Sequence, residues 1–147
     1  MAITDDSLAE AVYGHASTLK DDHPEKVGIM DEIGWIFWER YQLEHRTRDL
    51  DKAIIGYDTS IRLASNLDPG QAQRLANLSA ALITRFQDVG NISDLNRACD
   101  CIQRSIAIRG TGPVEPEIMT NLGVALLLRF ERLRDLSDLD ASIAAMR

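Results

Sequence analysis

Asn121-Leu122-Gly123-Val124-Ala125-Leu126-Leu127-Leu128-Arg129-Phe130-Glu131, followed by Asp135-Leu136-Ser137-Asp138-Leu139-Asp140, decides the fold because the chain contains it more than once. Forty-four residues earlier stands Asn77-Leu78-Ser79-Ala80-Ala81-Leu82-Ile83-Thr84-Arg85-Phe86, with Ser93-Asp94-Leu95 after it. A third version carries Glu32-Ile33-Gly34, Arg40-Tyr41 and Asp49-Leu50 at the same offsets, with Glu32 in place of the Asn and Tyr41 in place of the Phe. Nine residues before each branched position (Ile33, Leu78, Leu122) lies a proline, and Pro24, Pro69 and Pro113 are 45 and 44 residues apart. The register holds from proline to Asp-Leu in every copy, and the one-residue difference in period falls between copies, where a loop absorbs it.

Each copy reads as two helices. The first begins at the proline, whose missing N–H costs nothing at a helix start. It runs with apolar residues at helical spacing, Leu75, Leu78, Leu82 and Phe86 in copy two, and stops at Gly90. The second starts with Ser93 or Ser137 as N-cap and Asp94 or Asp138 at the positive end of the dipole. Its buried stripe is Leu95, Ala98, Cys99, Ile102 and Ile106 in copy two, and Leu50, Ala53, Ile54, Tyr57 and Ile61 in copy one. Strand alternation and hairpin-turn dipeptides are missing. Ser7-Leu8-Ala9-Glu10 opens a stretch to about residue 20 that reads as the second helix of an earlier unit. The expected architecture is therefore all-α: about seven helices in a right-handed superhelical stack of antiparallel pairs. The expected organisation is a single repeat domain over 1–147, comprising a half unit 5–22, unit one 23–66, unit two 67–110 and a clipped unit three 111–147. Without polar capping helices, it is expected to be a piece of a longer array or to have its ends covered by another molecule.

Composition bounds the function. Hydrophobic residues are 45% and charged residues 27% of the chain, ordinary for a globular protein. Sixteen Lys and Arg against 23 Asp and Glu give −7, a sign that repels phosphate backbones and anionic lipid. The longest apolar run, Val124 to Leu128, is far short of the ~20 residues that span a bilayer. Two cysteines, Cys99 and Cys101, are too few and too close for a disulfide framework, and with no signal-peptide pattern the expected compartment is the cytoplasm.

The Leu/Ile-Gly/Ser of the first helix, followed by Asp49-Leu50-Asp51-Lys52-Ala53-Ile54 opening the second, resembles tetratricopeptide (TPR) repeats. More narrowly, Asn121 to Glu131 with Asp135 to Asp140 looks like the long-period TPR-like arrays of filamentous and mushroom-forming fungi. Such arrays often precede a caspase-like CHAT domain or belong to nucleotide-binding receptor-like proteins. The resemblance covers residues 5–147, though the period is 44 to 45 rather than the ordinary 34, a length that HEAT and armadillo repeats also have.

The resemblance implies that first helices line a concave, peptide-binding face. On these helices a second apolar stripe lies about 140° to 160° from the first at about 100° per residue: Ala76, Ala80 and Ile83 in copy two, Asp31, Trp35 and Trp38 in copy one, Thr120, Val124 and Leu127 in copy three. Trp35 and Trp38 serve either as an aromatic anchor for a partner segment or as packing against Val12 and Leu19 of the N-terminal helix. Arg40, Arg85 and Arg129 either form a ladder gripping an acidic peptide or pair with Asp49, Asp94 and Asp138; recurrence in step with the repeat favours structural ion pairs. TPR domains that hold a partner's C-terminal carboxylate use an Asn near the position of Asn77 and Asn121, beside Lys and Arg. Here the residues one turn earlier are Gln73 and Glu117, so that clamp is disfavoured, and the asparagines bridge units or contact a peptide backbone.

Catalytic constellations are missing from the sequence. His15, His23 and His45 have no ligand partner at metal spacing, and Cys99 and Cys101 point about 200° apart on a helix. No phosphate-binding glycine loop is present. The expectation is a non-catalytic protein–protein interaction scaffold with no cofactor and no metal. Its partner is a protein or peptide rather than nucleic acid or membrane, and Trp35, Trp38, Ile83, Leu127, Asn77 and Asn121 are the contact candidates. Two other readings remain: a sensor or regulatory arm of a CHAT-type protease-like or nucleotide-binding effector, and a repeat that self-associates into homo-oligomers through uncapped ends.

Overall fold

In a computed structural model, which describes residues 6–147, the described residues form seven α-helices and no strand. They are α1 (Asp6–Thr18), α2 (Lys26–Glu44), α3 (Thr47–Leu63), α4 (Gln71–Val89), α5 (Ile92–Arg109), α6 (Pro116–Leu133) and α7 (Leu136–Ala145). The chain divides into two compact units, Met1–Asp68 and Pro69–Arg147. In the first, α2 and α3 form a helical hairpin with α1 packed on α2. In the second, α4–α5 and α6–α7 form two hairpins, with α6 packed on both α5 and α4. The all-α class and the seven-helix order agree with the repeat read from the sequence. The opening of the expected half unit at residue 5 lies outside the described residues.

One turn closes all three hairpins. His45, Gly90 and Arg134 each adopt the left-handed conformation, with φ of 54°, 82° and 61°. Their N–H groups donate to the carbonyls of Tyr41, Phe86 and Phe130 at 2.8, 2.7 and 2.6 Å. The next residue (Arg46, Asn91 or Asp135) is extended and serves as the N-cap of the following helix. Only two residues separate the helices, so each pair must run antiparallel. A side chain in the left-handed region costs about 1 kcal/mol, and only the middle hairpin uses glycine there. Gly90→Ala should therefore lose about 1 kcal/mol and His45→Gly gain about 0.5 kcal/mol, read as opposite shifts of the urea midpoint.

Three local expectations need correction. The prolines do not begin the first helices: Pro24 and Pro69 lie two residues before α2 and α4, and Pro113 three before α6, where Pro116 takes the first helical position. Ser93 and Ser137 are not the N-caps. Asn91 and Asp135 are, each accepting both the backbone N–H (3.0 and 2.9 Å) and the hydroxyl (2.9 and 2.7 Å) of the serine two residues on. Ser7 does not open its helix, because α1 is already helical at Asp6. The bonds from Ser137 hold the Asp135 carboxyl below the usual carboxylate range. A depressed folded-state value contributes stability above that range and loses it as the carboxyl protonates. Asp135→Asn should thus flatten the acid limb of the stability profile.

Burial follows the predicted stripes except at Ile106, which is only half-buried. In the first unit Ala9, Ala16, Met30, Ile33, Phe37 and Ala53 form the centre of the α1–α2–α3 core. Leu75, Leu78, Leu82, Leu95, Ala98 and Ile102 are fully or almost fully buried in the second. The small residue after each branched position has a packing cause. A Cβ on Gly34 would strike the Tyr57 ring at 2.6 Å, and a Cβ on Gly123 would overlap Met146, the residue equivalent to Tyr57. Copy two has Ser79 there, buried and donating to the Ala76 carbonyl at 2.6 Å. Among the described residues no helix is long and apolar enough to cross a membrane.

Candidate functional site

The recurring arginines and aspartates come together across the hairpin turns. Arg85 on α4 grips Asp94 on α5 with two bonds, Nε to Oδ2 at 2.8 Å and Nη2 to Oδ1 at 2.7 Å. Arg129 on α6 holds Asp138 on α7 at 2.9 and 2.8 Å. Planar forks of this kind are the strong form of a charge-assisted bond. The Asp138 bond raises the Arg129 pKa above its ordinary value against the opposing effect of burial, so its charge is fixed. Copy one is rearranged: Arg40 Nε is 3.9 Å from Asp49 Oδ1, Arg46 takes Asp49 at 3.1 Å, and Arg40 and Arg46 share Asp6 of α1. The shift traces to Arg46, which stands where the other copies have Asn91 and Asp135. All three aspartates are buried, and each is held by an arginine: Asp94 by Arg85, Asp138 by Arg129 and Asp49 by Arg46.

The asparagines meet at one place. Asn77 on α4 and Asn121 on α6 line a shallow groove of about 70 Å³ with Gln73, Ala76, Ala80, Glu115, Glu117 and Ile118. The equivalence of α4 and α6 in the repeat brings Asn77 and Asn121 to matching heights. Gln73 Nε2 donates to Asn77 Oδ1 at 3.0 Å, which assigns the Asn77 oxygen to Gln73. Glu115 is anchored by Arg109 at 2.6 Å. Hydrogen bonding to its own backbone N–H and then to Arg109 holds the Glu115 carboxyl below its usual range. The floor is small and apolar, the rim carries amides and carboxylates, and no basic side chain lines it.

The tryptophans separate. Trp38 is half-buried against the α1–α2–α3 core and stacks on Tyr41 with centroids 6.2 Å apart. Trp35 is 52% exposed. Trp38→Ala should cost about 2 kcal/mol by opening the core edge. Trp35→Ala should change stability by less than about 0.5 kcal/mol; equal losses in thermal melts would contradict this division. Ile83 is buried within the second unit and Leu127 half-buried, which leaves a partner little of either. The Cys99 thiol is buried, which pushes its pKa up, and Cys101, two residues on, is half-buried. Among the described residues no group of three His, Cys, Asp or Glu side chains could hold a metal ion.

Sequence reasoning chose Asn77 and Asn121 but missed the groove's other residues. For Gln73 and Glu117 the repeat itself gives the signal, since both lie one turn before an asparagine. No protein-family model matches this chain, and no curated protein matches it.

Proposed function

We propose that the chain is a non-catalytic helical-repeat scaffold of the tetratricopeptide-like kind, whose second unit holds an extended stretch of another protein along the α4–α6 groove. The observation that carries this reading is the convergence of Asn77 and Asn121, from equivalent positions of two successive first helices, on one groove floored by Ala76 and Ala80. Side-chain amides both donate and accept, so a pair of them at matching heights can bond the N–H and C=O of an extended backbone without regard to its sequence. The Asn121 amide makes no hydrogen bond to another described residue and is open to a ligand. The groove is preformed, so binding requires little reorganisation.

The test is selection from a displayed random-peptide library on the full chain, with each selected peptide then measured against two variants. Ala80→Arg fills the groove floor and should abolish capture. Asn121→Ala removes one amide and should weaken binding about tenfold. Peptides that bind both variants as tightly as the wild type, or a selection that enriches none, would remove the groove from the account.

A further inference from the structure

Hairpin three presents bare the face that hairpin two keeps covered. Cys99 of α5 is 1% exposed and its equivalent on α7, Ile143, is 45% exposed. Ile102 is 0% exposed and its equivalent, Met146, 50%. Leu78, Phe86 and Leu95 are buried, whereas Leu122, Phe130 and Leu139 are only half-buried. The same structure shows what covers this face in hairpin two: α6, packed on α5 and α4.

A polar contact fixes that docking. Arg129 of α6 pairs within its own hairpin and also reaches back, Nη1 to Asn96 Oδ1 at 3.2 Å, in the first turns of α5. The α1–α2 junction uses the same device: Arg40, the equivalent of Arg129, pairs with Asp6 in the first turn of α1. A first-type helix thus sends its conserved-in-repeat arginine to a polar residue near the start of the preceding second-type helix. On α7 the residue equivalent to Asn96 is Asp140, an exposed carboxylate that meets none of the described basic side chains. It is a stronger acceptor for arginine than Asn96.

We infer that the outer face of hairpin three, with Ile143, Leu122 and Phe130 as its apolar part and Asp140 as its anion, is a docking surface for a helix of the α6 pattern from another repeat hairpin. The occupant's chemistry is set by what α6 offers hairpin two: an apolar stripe at helical spacing and an arginine placed to reach residue 140. A second copy of this chain is the poorer occupant, because its α2 and α6 arginines are already engaged by Asp6 and Asn96 and its α4 arginine, Arg85, by Asp94.

The probe is a synthetic peptide carrying residues 115–134, labelled and titrated with the full chain by fluorescence anisotropy. Saturable binding is expected. Asp140→Arg, at an exposed position, should leave the melting temperature unchanged and weaken binding about tenfold, and a peptide with Arg129→Asp should restore it. Ile143→Asp should abolish binding of either peptide. No saturation by about 1 mM protein, or binding indifferent to Asp140→Arg, would overturn the assignment. So would a dimer of the chain, seen by light scattering, that disappears in Ile143→Asp, since that result gives the face to a second copy.

Discussion

Gly56→Ala should cost about 3 kcal/mol, the largest loss expected from adding one methyl group to this chain. Helix propensity alone favours alanine by about 1 kcal/mol, so the direction of the change is diagnostic. A Cβ at position 56 would stand 2.6 Å from the Gly34 nitrogen, 2.8 Å from the Met30 carbonyl oxygen and 3.0 Å from the Gly34 Cα. These are backbone atoms of α2 and no rotamer can move them aside. The helices would have to separate, and Ile33, Phe37, Leu50 and Ala53, all at 0% exposure, would lose contact together. Gly28→Ala is the matched control: nothing lies within 4 Å of its added Cβ, so the variant should be about 0.5–1 kcal/mol more stable. Urea unfolding checks both, and a Gly56→Ala chain as stable as the wild type would show that α2 and α3 do not cross at this distance.

Arg85→Ala should cost about 3 kcal/mol, chiefly through what it leaves behind. The Asp94 side chain is 4% exposed and would be left buried without the fork that offsets its desolvation. Arg85 itself is 23% exposed, which holds the figure near the lower end of the range for broken buried pairs. Arg85→Lys should recover only part, since one ammonium cannot reproduce two parallel bonds. Combined with Asp94→Asn, Arg85→Ala should cost less than the sum of the two single changes. Additive losses in that cycle would mean the two side chains act separately.

The hairpins were legible because burial acts on every turn of a helix, and a period of 44 to 45 residues repeats the pattern three times. Leu75, Leu78 and Leu82 announced their face before any contact was known. The smallness of residues 34, 79 and 123 was visible, but its cause was not, because it depends on a side chain more than twenty residues away. At Gly56 the signal is the glycine itself, since a glycine inside a helix points to close approach, but the partner backbone at Met30 and Gly34 is set only by the helix crossing. The caps were misplaced by two residues because serine is a common N-cap. Asn-x-Ser and Asp-x-Ser place the acceptor on the first residue and make the serine its donor. For the candidate site, residue types and spacing identified Asn77 and Asn121. The groove's depth and its carboxylate rim depend on how closely α4 and α6 approach, which no local pattern encodes. Likewise the exchange of partners around Arg40 and Asp49 needed the position of Asp6, far off in sequence.

The account rests on one hairpin geometry used repeatedly, and nuclear Overhauser contacts in solution test that directly. Cross-peaks are predicted between the Gly34 α-protons and the Tyr57 ring, and between the Gly123 α-protons and the Met146 side chain. Both pairs are separated by 23 residues and lie 89 residues apart along the chain. Finding one pair without the other, or neither, would contradict the repeat as the basis of the fold and of the groove built upon it.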